Sequence, residues 1–258
     1  DWDIIKDLKF SGRFGLDTTT GHHDTGQPNM AKLFANTPNY EDALKSLTGE
    51  TSQQTERTRE IDINAMLNYN HKFIDKLDVS ATLGLNGNER RYSYFYAEVT
   101  NLTIPTFFNL TNSSEKPTVD QYKQLRRLMG AYGQIDLGWD DWAYLTLTAR
   151  NDWSSTLPSW NRSYFYPSVS ASVILSEMFK LPECIDYLKV RGSWAMVGND
   201  TDPYKLATMY HFWTSGDKLD AEGDKVNPGI IKTYLDKTLP LADLKPESTT
   251  SAEVGTEL

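Results

Sequence analysis

From Leu128 to Leu258 the chain repeats one unit: roughly ten residues alternating apolar and polar, then a turn, then the same again. Met129, Ala131, Gly133, Ile135 and Leu137 alternate with Gly130, Tyr132, Gln134, Asp136 and Gly138. Ala143, Leu145, Leu147 and Ala149 alternate with Tyr144, Thr146, Thr148 and Arg150, and the same rhythm returns in Phe165–Leu175 and Leu188–Met196. Side chains of a strand point to opposite faces in turn, so every such segment has one apolar face and one polar face. Long strands of this kind with aromatic residues near their ends are the mark of a transmembrane β-barrel. Alternation by itself also suits a soluble β-sandwich, so a second feature is needed to choose.

That feature is the distribution of the connections. Leu8–Leu16, Ile61–Tyr69 and Leu77–Leu85 alternate as strands, and Arg90–Ala97 extends the last of these, in preference to a hairpin turn at Asn86-Gly87. The stretches Thr18–Glu60, Asn101–Gln124 and Asp200–Ser248 are long and polar, and read as loops. Short helices are expected at Tyr40–Leu47 and Val119–Arg126, and one helical turn within Ser176–Asp186. Short connections fall at Ile74-Asp75-Lys76 and Trp139-Asp140-Asp141-Trp142, and a medium loop at Trp153–Arg162. In an up-and-down antiparallel sheet, alternate connections lie at opposite ends. The long ones then share one end, as in outer-membrane barrels.

Composition narrows the class further. Only 39% of the 258 residues are hydrophobic, and no run approaches the roughly 18 apolar residues of a membrane helix. Barrel strands give only half their residues to lipid, so the low figure does not argue against a barrel. Aromatics reach 12%, with 14 Tyr and 7 Trp, which suits an interfacial girdle or a sugar-binding surface. A net charge of -9 without a basic patch argues against nucleic acid as a partner. The single Cys184 excludes an internal disulfide framework. The chain starts at Asp1-Trp2-Asp3 and stops at Thr256-Glu257-Leu258 inside a strand-like pattern, so a longer polypeptide is expected around it. About eight strands are legible; a barrel that small fills its own interior, which favours a segment of a larger one.

Four ordered motifs carry a resemblance. The first joins Arg150, Asp152, Ser154 and Ser155 to Tyr166-Pro167-Ser168-Val169-Ser170-Ala171 and Ser176-Glu177. The others are Met129–Gln134, Leu188–Ser193 with Val197-Gly198-Asn199, and Leu244-Lys245-Pro246-Glu247 with Glu253-Val254-Gly255. In this order they resemble the SusC/RagA family of TonB-dependent outer-membrane transporters, over roughly the second half of the chain. The resemblance implies a barrel of about 22 strands closed by a plug. It implies energised import of oligosaccharides or peptides, TonB as the energy partner and a SusD-like surface lipoprotein as lid. The plug, the TonB-contacting segment and the C-terminal strands are not among residues 1–258, so the whole chain reads as one barrel fragment.

The expected architecture is therefore all-β: a segment of an antiparallel, up-and-down transmembrane barrel in the bacterial outer membrane, in contact with its lipid. Trp153, Trp160, Tyr164 and Tyr166 cluster beside a loop, where aromatic faces can stack on sugar rings or simply form the girdle. Asp136, Arg150, Asp152 and Arg191 fall on the polar, lumen-facing side, where they can shape selectivity or pair with one another. Arg126-Arg127 and Arg90-Arg91 are expected in solvent at strand ends. His22-His23-Asp24 and Asn199-Asp200-Thr201-Asp202 lack the partners of a zinc or calcium site, so no metal, cofactor or catalytic residue is expected. No nucleophile elbow, P-loop or dinucleotide fingerprint occurs. The rival readings are a soluble carbohydrate-binding β-sandwich and a β-rich glycoside hydrolase.

Overall fold

The structure, a computed structural model, describes residues 1–36, 47–179, 182, 185–207, 210–214, 231–235 and 240–258, with backbone alone at 210–214 and 231–235. Its strands are β1 (Trp2–Ile5), β2 (Leu8–Gln27), β3 (Glu50–Ile74), β4 (Leu77–Thr100), β5 (Thr118–Trp139), β6 (Ala143–Ser154), β7 (Ser163–Ile174), β8 (Lys189–Asn199), β9 (Tyr210–Thr214), β10 (Ile231–Leu235) and β11 (Glu247–Glu257). Two single helical turns, α1 (Met30–Leu33) and α2 (Leu175–Met178), complete the described elements. Nine strands form one sheet in the order β1-β2-β3-β4-β5-β6-β7-β8-β11, while β9 and β10 pair only with each other. Except for that hairpin, each strand is hydrogen-bonded to the next in sequence, as in an up-and-down barrel wall. Among the described residues the β9–β10 hairpin is the other sheet, and it has two strands.

The registers convert the sequence alternation into two faces. Leu147 lies between Ile135 of β5 and Val169 of β7, and Thr146 between Asp136 and Ser170. On β8, Trp194 pairs with Val169 and Ser193 with Ser170, so the same two faces continue. The apolar face is open: Leu83 is 65% exposed, Leu147 40% and Val254 82%. The polar face is knitted by side chains instead. Thr146 donates to Asp136 at 2.7 Å, Thr82 to Asn68 at 3.0 Å and Ser80 to Asn70 at 2.7 Å, and Thr148 bonds Ser168. A sheet with its oil outside and its hydrogen bonds inside is made for a lipid surround.

The chain divides into two compact units. The first comprises Asp1–Gly12, Asn64–Gly87 and Arg126–Leu258, and carries the open apolar face. Its short turns are tight. At Trp139–Trp142 both Asp140 (φ 48°) and Asp141 (φ 59°) are left-handed, and the Trp142 N–H donates to the Trp139 carbonyl at 3.1 Å. This is a type I′ turn, whose twist matches that of its strands, and Asp tolerates the left-handed region. Lys76 ties the turn to its neighbour through Asp140 at 2.6 Å.

The second unit comprises Arg13–Ile63 and Asn88–Leu125, and holds a small buried core. Ala97, Val99 and Leu102 are buried, with Val99 only 1% exposed. Two buried asparagines hold its connections. Asn29 donates through Nδ2 to the Leu102 carbonyl at 2.7 Å, and its Oδ1 accepts from the Lys32 N–H. Asn112 donates to the Ile104 and Phe107 carbonyls and accepts from the Ile104 N–H at 2.9 Å.

Several sequence expectations are corrected here. Thr18–Gln27 and Glu50–Glu60 are strand rather than loop, and Val119–Arg126 is strand rather than helix. Alternation vanishes where neither face is apolar, yet the backbone ladder continues, helped by side-chain bonds such as Thr25 to Ser52 at 2.6 Å and His22 to Thr55 at 3.1 Å. The edge strand β1 was not legible, being only four residues long. The continuation of β4 through Asn86-Gly87 and the helical turn before β8 are as expected. The helix expected at Tyr40–Leu47 falls mostly on 37–46, and Cys184 falls outside the described residues too.

Candidate functional site

The polar face of β5–β7 ends in a dense charged and aromatic network at the loop end of these strands. Gly130 and Tyr132 of β5 stand opposite Asp152 and Arg150 of β6, which in turn stand opposite Tyr164 and Tyr166 of β7. All six share one face because their positions differ by even steps. Asp152 is 3% exposed. It accepts from Arg150 Nε at 2.8 Å and from the Tyr166 hydroxyl. Arg150 spreads over the Tyr132 ring, 5.6 Å from its centroid, and reaches Asn86 Oδ1 at 3.4 Å. The Tyr132 hydroxyl donates to Asn64 Oδ1 at 2.9 Å. Tyr164 and Tyr166 lie stacked, centroids 5.9 Å apart and planes 22° apart. Gly198 makes room for them: a Cβ there would sit 2.5 Å from Tyr164 Cδ2.

Behind this network a second one fastens the loops. Asp200, just past β8, accepts from Arg126 through Nε at 3.0 Å and Nη2 at 2.5 Å, from Thr156 Oγ1 at 3.1 Å, and from Ser154 Oγ. Burial opposes the Asp200 charge, but the Arg126, Ser154 and Thr156 donors outweigh it and hold the carboxyl below the usual carboxylate range. The 155–162 loop is further pinned by Ser155, whose N–H donates to the Arg127 carbonyl and whose Oγ accepts from the Arg127 N–H, both at 2.9 Å. At the far end of the long connection, Asp243 accepts from Trp160 Nε1 at 3.1 Å and from Asn161 Nδ2 at 2.8 Å. These donors lower the Asp243 pKa.

The residues singled out from sequence therefore part company. Tyr164, Tyr166, Arg150 and Asp152 come together in one network. Trp153 faces the opposite way, opposite Met129 and Ser163, and is exposed on the apolar side near Phe165, as a girdle residue would be. Trp160 sits out in the 155–162 loop, mostly exposed and bound to Asp243. Asp136 is held by Thr146 and by Gln134 at 2.7 Å each, lower on the polar face. Arg191, also on the polar face, pairs with Glu253 at 3.3 Å and Glu257 at 3.7 Å. Arg126 is corrected: it is not a solvated strand-end residue but the partner of Asp200. Arg91, likewise, lies within β4 and pairs with Glu89 at 2.6 Å. Tyr132, Gly198 and Asp200 were missed as site residues. For Tyr132 and Gly198 the signal was the motif itself, since both belong to matched stretches, whereas Asp200 falls one position past the Val197-Gly198-Asn199 match. Among the described residues no group of three or more His, Cys, Asp or Glu could hold a metal ion.

The network is a charged and aromatic wall whose carboxylates accept from arginines and hydroxyls. Residues 1–258 match the family model described as TonB dependent receptor-like, beta-barrel. The chain is 30% identical over 157 residues to TonB-dependent receptor P26 of Formosa agariphila, which covers 58% of this chain and 15% of that protein. Its fold is similar to a chain of the RagAB peptide transporter, with a TM-score of 0.78, 18% identity, and 98% of this chain and 26% of that one covered. A chain of the RagAB peptide importer in its open-open state matches with a TM-score of 0.72 and 20% identity over the same shares. These neighbours accord with the SusC/RagA resemblance of the motifs. The exposed apolar face, the knitted polar face and a family match over its whole length place this chain in the TonB-dependent receptor-like β-barrel family.

Proposed function

We propose that this chain is one section of the barrel wall of an outer-membrane importer that takes up oligosaccharides or peptides by TonB-dependent transport. In the whole receptor a plug domain closes the lumen, TonB supplies energy through it, and a SusD-like surface lipoprotein covers the substrate. One observation carries the reading: a nine-stranded antiparallel sheet whose apolar face is open and whose polar face is tied by side-chain hydrogen bonds. In water such a face would cost about 25 cal/mol per Å² of exposed apolar surface, whereas lipid contact removes that cost. The likeness to RagAB, named a peptide importer, supports import as the task. The Tyr164–Tyr166 stack and the Arg150–Asp152 pair then line the lumen near its outer mouth, where they meet passing substrate. Trp153 belongs instead to the interfacial girdle.

The test is uptake by cells carrying or lacking the intact receptor. Fluorescent peptide and oligosaccharide pools are offered with and without a protonophore. Uptake that requires both the receptor and an energised inner membrane supports the proposal, as does copurification with a surface lipoprotein. A receptor that stays soluble and monomeric without detergent, binding sugar but moving nothing, would overturn it in favour of a soluble binding module.

A further inference from the structure

The second unit carries an aromatic feature that the motifs do not touch. Tyr92, Tyr94 and Tyr96 occupy alternate positions of β4, so their rings emerge on one face over about 13 Å of strand. The Tyr94 and Tyr96 rings lie parallel, centroids 6.5 Å apart and planes 6° apart. Tyr122 of β5 extends the row, its ring 6.4 Å from that of Tyr92. On the opposite face Phe95 is 44% exposed, and just beyond it Ala97 and Val99 are buried in this unit's core. All three β4 rings are only partly covered, and they face outward from that core.

The surroundings of the row are acidic. The Tyr96 hydroxyl donates to Glu98 Oε2 at 3.0 Å, and Gln54 donates to Glu56 Oε1 at 2.7 Å, which leaves the other Glu56 oxygen uncommitted to that bond. Glu56 lies within electrostatic reach of Tyr92. Further along the same face Asn88 bridges Glu60 and Asp62, both at 2.8 Å. Arg90 is the cation that shares this side of β4, and the carboxylates outnumber it. A sulfated or uronic-acid glycan would be repelled here. A cation on a flexible stem is favoured, since it gains both the negative face of a tyrosine ring and a nearby carboxylate.

We propose that Tyr92, Tyr94, Tyr96 and Tyr122, flanked by Glu56 and Glu98, form a docking track for peptides bearing lysine or arginine side chains. This rests on the importer reading and narrows its substrate to basic peptides. Successive rings spaced like alternate strand residues match an extended peptide, whose own side chains on one edge repeat at nearly the same distance.

The experiment measures binding to the intact, detergent-solubilised receptor by fluorescence anisotropy. The probes are a labelled octapeptide of alternating lysine and glycine, the same peptide with glutamate for lysine, and a labelled neutral maltooctaose. The lysine peptide is expected to bind best and to weaken with added salt. Tyr94→Ala should weaken it about three- to thirtyfold, while Tyr94→Phe keeps the ring and the affinity. Glu56→Gln should weaken the lysine peptide and leave the neutral glucan unchanged. Heat-modifiable migration on gels confirms that each variant is a folded barrel, and the Phe and Gln variants preserve shape if Tyr94→Ala does not fold. Equal binding of the glutamate peptide, or a glucan lost with Tyr94→Ala but indifferent to Glu56→Gln, overturns the proposal. Energised uptake is measured on the same variants. Import of another nutrient without lysine-peptide binding sinks the track and spares the importer, whereas binding without any energised uptake sinks the importer.

Discussion

At the scale of single residues, stability at the loop end rests on buried acceptors with several donors each. Asp200 is one, serving Arg126, Ser154 and Thr156. Asp200→Ala leaves these donors without their acceptor and is expected to cost about 1–3 kcal/mol, less than a fully buried pair because Arg126 remains partly open to water. The readout is faster proteolysis within 155–162. The sign of its pH dependence follows from its depressed pKa. A carboxyl lowered by folding stabilises above its unfolded pKa, and that stability is lost as pH falls through the folded value. The tie should hold unchanged from neutral pH down to the ordinary carboxylate range and fail only in stronger acid. Resistance of the loop to an acid-active protease at graded pH measures this, and loosening near pH 6 would contradict it. Asn112 is the counterpart in the second unit. Asn112→Ala frees the carbonyls of Ile104 and Phe107 and should cost about 1–3 kcal/mol, seen as cleavage within 101–117.

At the scale of the strand, β6 allows a direct comparison of its two faces. Leu147 stands opposite Ile135 and Val169 on the open face, and Thr146 bonds Asp136 on the other. With lipid on the open face, Leu147→Arg places a charge in the apolar band and should cost roughly 2–4 kcal/mol. Thr146→Arg points into a wet lumen beside Asp136 and should cost little. The deciding variant is Leu147→Ala. In a packed protein core it would leave a cavity and cost roughly 2–5 kcal/mol, but acyl chains fill the space against lipid, so the cost should fall below that range. Refolding of the intact receptor into bilayers with each variant gives the three values. Equal damage from Leu147→Ala and Leu147→Arg would place Leu147 inside a core and remove the outward assignment.

At the scale of the whole molecule, the alternation of connections predicts sidedness. The Trp139–Trp142 turn is short and pinned to Lys76, whereas the connection after β8 is long and begins at Asp200. Outer-membrane barrels carry short turns inside and long loops outside. In a Cys184→Ser background, Lys205→Cys should react with a membrane-impermeant maleimide on intact cells, and Asp141→Cys only after the outer membrane is opened. The reverse pattern would invert the topology.

How much of this was legible beforehand depended on which physical rule governed each residue. Where lipid demands apolar side chains on one face, the demand is written residue by residue. Hence β4, the second half of β5, β6 through β8 and the two faces could be read from sequence alone. The motif at Arg150, Asp152 and Tyr166 could also be recognised, though not what it builds. Where neither face is apolar, as in Thr18–Gln27 or Val119–Leu125, the strand is specified by backbone hydrogen bonds to a neighbour, which leave no mark on side-chain order. Site geometry escaped for a related reason. Arg126 meets Asp200 across 74 positions, and Tyr132 meets Arg150 because registers align β5 with β6. Trp153 and Tyr164 look alike in sequence, yet the registers give one to the apolar face and the other to the polar one. Sequence alone therefore determined the two-faced strand and with it the family. The tertiary structure decided which charges meet, because a contact between distant segments exists only once the ladder has set its register.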